Sequence, residues 1–232
     1  MAVLRRIVFS ACLAGLVSGI VLTGVQTFGV LPILAEAETY GNSISAPTLD
    51  QESSSQHHHY GPNAASDRYR LWWTAVANIG IGIGFGLLLS AIFALRSPVT
   101  CTRGIFWGAG GYATFFLAPA IGLPPEIPGA VVEALQSRQL WWLLAVTFTG
   151  VGLLLLFLGS HWIVKALGAV LIPVPHLIGA PHSGAYTGLA PEILVDRFYL
   201  TTVFVNAIFW LVLGATSAVL FQRLAQRAVP EG

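Results

Sequence analysis

Two imidazoles within one short stretch offer the clearest chemistry in this chain: Pro173-Val174-Pro175-His176-Leu177-Ile178-Gly179-Ala180-Pro181-His182. Neutral imidazole is the commonest side-chain ligand for transition metals, and it is costly to leave in lipid without a partner. Prolines remove backbone donors and bend a helix, so nearby carbonyls need other partners. A broken helix end facing a polar cavity meets both requirements, which makes His176 and His182 candidate ligands for a divalent metal ion. The competing reading is two imidazoles hydrogen-bonded at a helix end, one of them facing water. Further donors are Glu36 and Glu38, just past the first apolar run, and His57, His58 and His59, inside a polar tract. For these the alternatives are solvated carboxylates and a merely solvated segment. Imidazole with carboxylate and no thiolate nearby suits Co(II), Ni(II) or Zn(II) better than Cu(I), whereas magnesium would favour carboxylates without histidine.

Other chemistries find no residues to carry them. Cys12 and Cys101 are the only cysteines and have no CxxC spacing, which argues against a disulfide framework or a thiolate zinc site. No G-x-x-x-x-G-K-[ST] occurs, so no nucleotide is expected through a P-loop. Neither G-x-S-x-G nor H-E-x-x-H is present, and the chain is not expected to be an enzyme. The His-x4-Asp-His signature of nickel/cobalt permeases is also missing. With a net charge of +1 and no basic stripe interleaved with aromatics, nucleic acid is not an expected partner.

The elements that must position these residues are membrane helices. Of 232 residues 55% are hydrophobic and 9% charged, with a mean hydropathy of +0.75. A soluble domain carries about a quarter charged residues. The composition therefore predicts an all-α fold, a polytopic integral membrane helix bundle in the lipid bilayer, with residues 1–232 as a single transmembrane domain. Residues 7–34 form the first apolar run. A secretory signal peptide competes there, since Ala35-Glu36-Ala37 resembles a cleavage site, but the run is about twice the usual length. Ala11, Gly15 and Gly19 recur every four residues, the small-xxx-small face by which membrane helices approach. Residues 35–70 are polar and Ser-rich and read as an outer, histidine-containing loop.

The next run, 71–95, opens on Arg70-Leu71-Trp72-Trp73, an interfacial belt, and then carries Gly80, Gly82, Gly84 and Gly86. On a helix these make two grooves on nearly opposite sides, which predicts a central helix packed closely by two neighbours. Residues 104–123, 138–160 and 198–222 are further spans. Asn78 and Asn206 lie within spans and read as helix–helix hydrogen bonders or, alternatively, as lining a path.

Two segments resemble each other. Each opens on an Arg–Trp–Trp belt, at Arg70 and at Arg138, and each ends in a proline-broken tip, at 119–125 and at 175–182. A helix-pair repeat of this kind is frequent in transporters. It requires residues 162–180 to span as 104–123 do, and nineteen helical residues reach about 28 Å, just enough to cross. About six spans are therefore expected, with five as the alternative. Six spans with the N-terminus cytoplasmic put seven cationic residues inside (Arg5, Arg6, Arg96, Arg103, Lys165, Arg223, Arg227) and four outside (Arg68, Arg70, Arg138, Arg197), in the sense the positive-inside rule expects. Every acidic residue except Glu231 then lies outside, in a vestibule that attracts cations.

These strings together resemble one family, the CbtA family of predicted cobalt transporter subunits. The likeness spans nearly the whole chain and is carried by the basic, Gly-rich first span, Ala35-Glu36-Ala37-Glu38, Arg138-Gln139-Leu140-Trp141-Trp142, the 175–182 string and Val205-Asn206-Ala207-Ile208-Phe209-Trp210-Leu211-Val212-Leu213-Gly214. The resemblance implies cobalt uptake across the bacterial inner membrane, usually described with five spans. It also implies a small His-rich membrane partner of the CbtB kind. The joint expectation is Co(II) captured from the outer side by His57–His59 and the loop acids, bound by His176 and His182 with Glu36 or Glu38, and passed along the glycine-lined second span. The rival is a non-transporting structural subunit of a larger membrane complex, its histidines capping helices or ligating a pigment or haem.

Overall fold

The computed structural model describes residues 2–44, 64–96, 99–130, 133–181 and 188–226. His57, His58, His59 and His182 fall outside these residues. Among the described residues there is no strand, and five helices are long and apolar enough to cross a membrane: Val3–Gly29, Arg68–Leu95, Cys101–Gly122, Leu135–Leu158 and Glu192–Gln226. The helices in chain order are α1 (Ala2–Gly29), α2 (Leu31–Ile44), α3 (Ala64–Leu95), α4 (Cys101–Tyr112), a π-helical turn (Ala113–Leu117), α5 (Ala118–Gly122), α6 (Leu135–Leu158), α7 (Trp162–Leu171), α8 (Val174–Ile178) and α9 (Glu192–Gln226).

The bundle is built on backbone contact. Inside lipid, apolar side chains gain nothing by leaving one apolar environment for another, so helices associate through close packing and hydrogen bonds. A Cβ on Gly19 would lie 2.6 Å from the Ile79 Cα, and one on Gly82 would lie 2.7 Å from the Gly15 carbonyl oxygen. The Ala11/Gly15/Gly19 face therefore seats α1 directly on α3. Polar side chains lock the pair. Ser10 and Ser90 share a hydrogen bond of 2.9 Å, and the Asn78 amide donates to Thr23 Oγ1 at 3.0 Å and to Gln26 Oε1 at 2.7 Å. Asn206 instead donates to Thr202 O within its own helix, at 2.9 Å. A second backbone junction joins α4 to α9, where a Cβ on Gly214 would lie 2.9 Å from the Gly108 Cα. Phe85, Phe115 and Trp210 fill the space where the two pairs meet.

These contacts fix the direction of every pass. The Arg6 guanidinium lies 5.5 Å from the centre of the Phe221 ring, whereas Gly29 faces Thr201, so α1 and α9 are antiparallel. Gly104 faces Ala218 and Tyr112 donates to Val203 O at 3.2 Å, so α4 also runs against α9. Gly150 on α6 faces Thr114, and Trp141 faces Gly122, which makes α6 antiparallel to the third pass. α6 thus ends at the end of the bundle holding Arg6, while α9 starts at the opposite end. The chain must recross between them.

It does so in two pieces. Residues 162–180, expected as a full sixth span, form α7 and α8 with a break at Ile172 and Pro173, so the structure holds the lower of the two expected counts of long helices. The cause is Pro173 and Pro175, whose missing N–H groups end one helix and start another. The broken segment still retraces α6: Val164 meets Gly159, Gly168 meets Gly152, and His176 meets Trp141. The six-pass direction of the chain survives without a sixth long helix.

Three other expectations are corrected. The polar tract at 35–70 is not a loop throughout, because residues 31–44 form α2 and α3 begins at Ala64. Ile33 and Ala37, one turn apart, bury against Leu194 and Phe198, and that stripe turns the segment into a helix lying on the bundle. Of the two glycine grooves on α3, only Gly82 and Gly86 receive a neighbour, since nothing approaches within 4 Å of a Cβ at Gly80 or Gly84. The helix-pair repeat shares its proline-broken second halves but not its pairing, for α3 packs on α1 and α4 on α9, whereas α6 and α7 pack on each other.

The two α3 grooves make opposite predictions. Gly82→Ala should destabilise the folded protein by about 1–3 kcal/mol, because the α1 backbone cannot yield to the new methyl group. Gly80→Ala should leave stability unchanged or raise it by up to about 1 kcal/mol through helix propensity. Thermal melts of the detergent-solubilised variants compare the two.

Candidate metal site at the broken helix ends

Two proline-broken tips converge on one tryptophan. In the third pass the Ala118 N–H reaches back to Ala113 O, one residue further than in an α-helix, and Pro119 follows with no N–H to give. The π-turn and α5 result, and α5 ends at Gly122. In the last broken pass Pro173 N-caps α8, Pro175 sits in its first turn, and Gly179 ends it at φ +90°, a conformation open to glycine. Trp141, nearly two turns into α6, is clamped between these tips. Its ring edge leaves no room for a Cβ at Gly122, and that Cβ would lie 3.1 Å from the Ala180 Cβ.

His176 stands on this tryptophan. The rings meet edge to face, with centroids 5.8 Å apart and planes at 69°. Such a pair contributes about 0.5–1.5 kcal/mol and fixes the imidazole plane. The ring is half-buried in the last turn of α8, and its backbone N–H donates to Pro173 O at 3.0 Å. The same tryptophan lines an open cleft of about 480 Å³, bounded by Ser137, Trp141 and Leu144 on α6 and by Ile178, Gly179 and Pro181 at the tip, with His176 itself outside the lining. His182 follows Pro181 directly in the chain. Trp141 is only 6% exposed, and its Nε1–H has no hydrogen-bond partner.

The surrounding charge is acidic but dispersed. Glu126 pairs with Arg138 at 2.9 Å, each side chain about 30% exposed (31% and 28%), and Glu38 pairs with Arg70 at 3.4 Å in a more open position. Pairs this exposed contribute about 0.2–1 kcal/mol, so they orient side chains more than they hold the fold. Glu36 and Glu38 are exposed on α2, at the same end of the bundle as His176. Among the described residues no three His, Cys, Asp or Glu side chains are gathered closely enough to share one ion. The structure therefore does not gather Glu36, Glu38 and His176 into one ligand set. It does separate both cysteines from the tip, since Cys101 opens α4 at the far end and Cys12 lies on the outer face of α1.

Trp141 was legible in the sequence only as half of an interfacial belt. Trp72 and Trp73 fit that description, at 66% and 53% exposed, and so does Trp142 at 38%. The burial of Trp141 follows from its position opposite Gly122, a pairing that sequence spacing does not reveal. The α3 glycines cannot line a path, because Gly82 and Gly86 are filled by α1 and Gly80 and Gly84 face outward.

Compared with known proteins, residues 4–222 match a family described as probable cobalt transporter subunit (CbtA). No curated protein and no solved structure matches the chain.

The clamp on Trp141 can be tested separately from any ligand. Gly122→Val should displace the indole, changing tryptophan fluorescence and lowering stability by about 1–3 kcal/mol. Glu126→Gln, which loses only a partly exposed ion pair, should lower it by less than about 1 kcal/mol in the same melts.

Proposed function

The chain belongs to the CbtA family of probable cobalt transporter subunits, and from that premise we propose that it takes up Co(II) across the bacterial inner membrane, binding the ion at the end of the bundle that carries His176. The observation that carries the reading is one imidazole, held on a proline-broken helix end by Trp141, which also lines an open cleft. A half-buried imidazole held edge-on to an indole is oriented yet partly open to solvent, as a ligand for a borderline divalent ion requires. His182 is the second ligand of the proposal, and Glu36 and Glu38 remain recruitable carboxylates from α2. His57, His58 and His59 would concentrate the ion. Ni(II) and Zn(II) suit the same donors, so the family supplies the preference for cobalt.

Electrostatics supports the direction. Glu36, Glu38, Glu126, Glu133, Glu192 and Asp196 all sit at the His176 end, and among the described residues no acidic position lies at the other. A cation is drawn to the first end by its field. The opposite end carries Arg5, Arg6, Arg96, Arg103, Lys165 and Arg223, and the positive-inside rule assigns that end, with the N-terminus, to the cytoplasm. The chain acts as a carrier of the ion and performs no covalent chemistry. The family's description as a transporter component supports a partner chain, for which a small His-rich membrane protein of the CbtB kind is the proposed identity.

Titration of the purified full chain with Co(II) tests the site. His176→Ala/His182→Ala should weaken binding at least tenfold while the protein still assembles, and uptake by cells should fall in parallel. Equal binding by parent and double variant would move the affinity to the 57–59 histidines. No binding by either would leave a structural subunit. Impermeant labelling of single cysteines in intact cells should modify a residue placed beside Glu192 and spare one beside Arg223, and the reverse pattern would invert the orientation.

A further inference from the structure

At the end of the bundle opposite His176, where α1, α3 and α9 meet, we propose that Arg6 and Arg96 bind the phosphate of an anionic phospholipid headgroup. Arg6 lies on the buried stripe of α1. Four-residue spacing puts it one turn outside Ser10 and two turns outside Ala14, both 0% exposed, whereas Arg5 faces outward. The Arg6 guanidinium lies over the ring of Phe221 on α9, 5.5 Å from its centre, and Phe221 in turn meets Phe93 on α3, with centroids 6.2 Å apart. Both rings are buried, and a cation over an aromatic face is held there by the ring's quadrupole. The Arg6 Nε is buried as well, and it has no hydrogen-bond partner.

An arginine turned inward at membrane depth pairs with a carboxylate or with carbonyl groups, because an unmatched guanidinium is costly there. Among the described residues this end of the bundle offers no acidic side chain. It offers a second cation instead. Gly15 faces Ile83 and Ser10 bonds Ser90, so the end of α3 lies beside the start of α1. Arg96 therefore stands at the same end, three residues past Phe93 and exposed. A phosphate meets both needs: it only accepts, it takes forked pairs of guanidinium N–H groups, and its charge relieves the repulsion between the two arginines. Depth selects a lipid as its source. Arg6 lies within the first turn of the span that begins at Val3, and Val3, Leu4 and Leu95 nearby are 52%, 62% and 84% exposed. Acyl chains cover such residues, and a free anion does not. Basic pockets between membrane helices at this boundary take acidic headgroups. A lipid so held ties three helices together where the glycine contacts of α1 and α3 run out.

The test uses the purified full chain, stripped of lipid in a neutral detergent and melted with increasing phosphatidylglycerol. Phosphatidylcholine with the same acyl chains and inorganic phosphate are the comparisons. Phosphatidylglycerol should raise the melting midpoint by at least about 4 °C, and each comparison by less than about 1 °C. Arg6→Gln and Arg96→Gln should each raise the phosphatidylglycerol concentration needed for half the shift at least about fivefold, and Arg5→Gln less than about twofold. If Arg6→Gln fails to fold, Arg6→Lys, which keeps the charge and loses the fork, should raise it about threefold. Equal shifts with the two lipids overturn the proposal. Equal weakening by Arg5→Gln and Arg6→Gln reduces the effect to diffuse surface charge and also overturns the site. A shift of the same size with inorganic phosphate puts a soluble anion there and overturns the lipid.

Discussion

Backbone-to-backbone contact at glycine is the constraint on which the rest of this bundle depends. α1 meets α3 through Gly15, Gly19 and Gly82, and α4 meets α9 through Gly104, Gly108 and Gly214, in each case with no room for a methyl group. Lipid offers an apolar side chain the same surroundings as a neighbouring helix does, so the gain must come from close dispersion contact and from hydrogen bonds across the interface. The Ser10–Ser90 and Asn78–Thr23–Gln26 bonds are of that second kind. These junctions leave no gap between α1 and α3 along their shared glycine face.

The α6–α7–α8 hairpin lies outside these two glycine junctions. It docks on the rest of the bundle mainly through the π-turn and α5, the least regular part of the third pass. Both surfaces at that junction are shaped by proline. Pro119 lies just beyond the π-turn, and Pro173 and Pro175 divide the returning pass. Irregular backbone is expensive in a bilayer, and here it is gathered at one end around Trp141 and His176, away from the glycine-sealed core.

Charge divides the molecule along the same axis. The acidic positions share an end with the broken tips, and Arg5, Arg6, Arg103 and Arg223 crowd the opposite end. The ion pairs at the acidic end, Glu126–Arg138 and Glu38–Arg70, are too exposed to hold the fold, and they leave the carboxylates available to a field that draws cations.

Much of this was legible in the chain itself. Composition determined a membrane helix bundle, four-residue glycine spacing determined where α1 closes on α3, and the prolines at 119, 173 and 175 determined where helices break, because each is a local property of backbone or side chain. The charged residues likewise sorted to two ends without reference to packing. Only the tertiary structure decided that Ile33 and Ala37 make a helix of an apparently polar tract, by burying them on Leu194 and Phe198. It also decided which α3 groove is filled, and that Trp141, alone among the belt tryptophans, lies under a histidine. Those outcomes depend on which surface of a distant helix arrives opposite a residue, and one chain's spacing fixes the face a residue occupies but not the neighbour that face will meet.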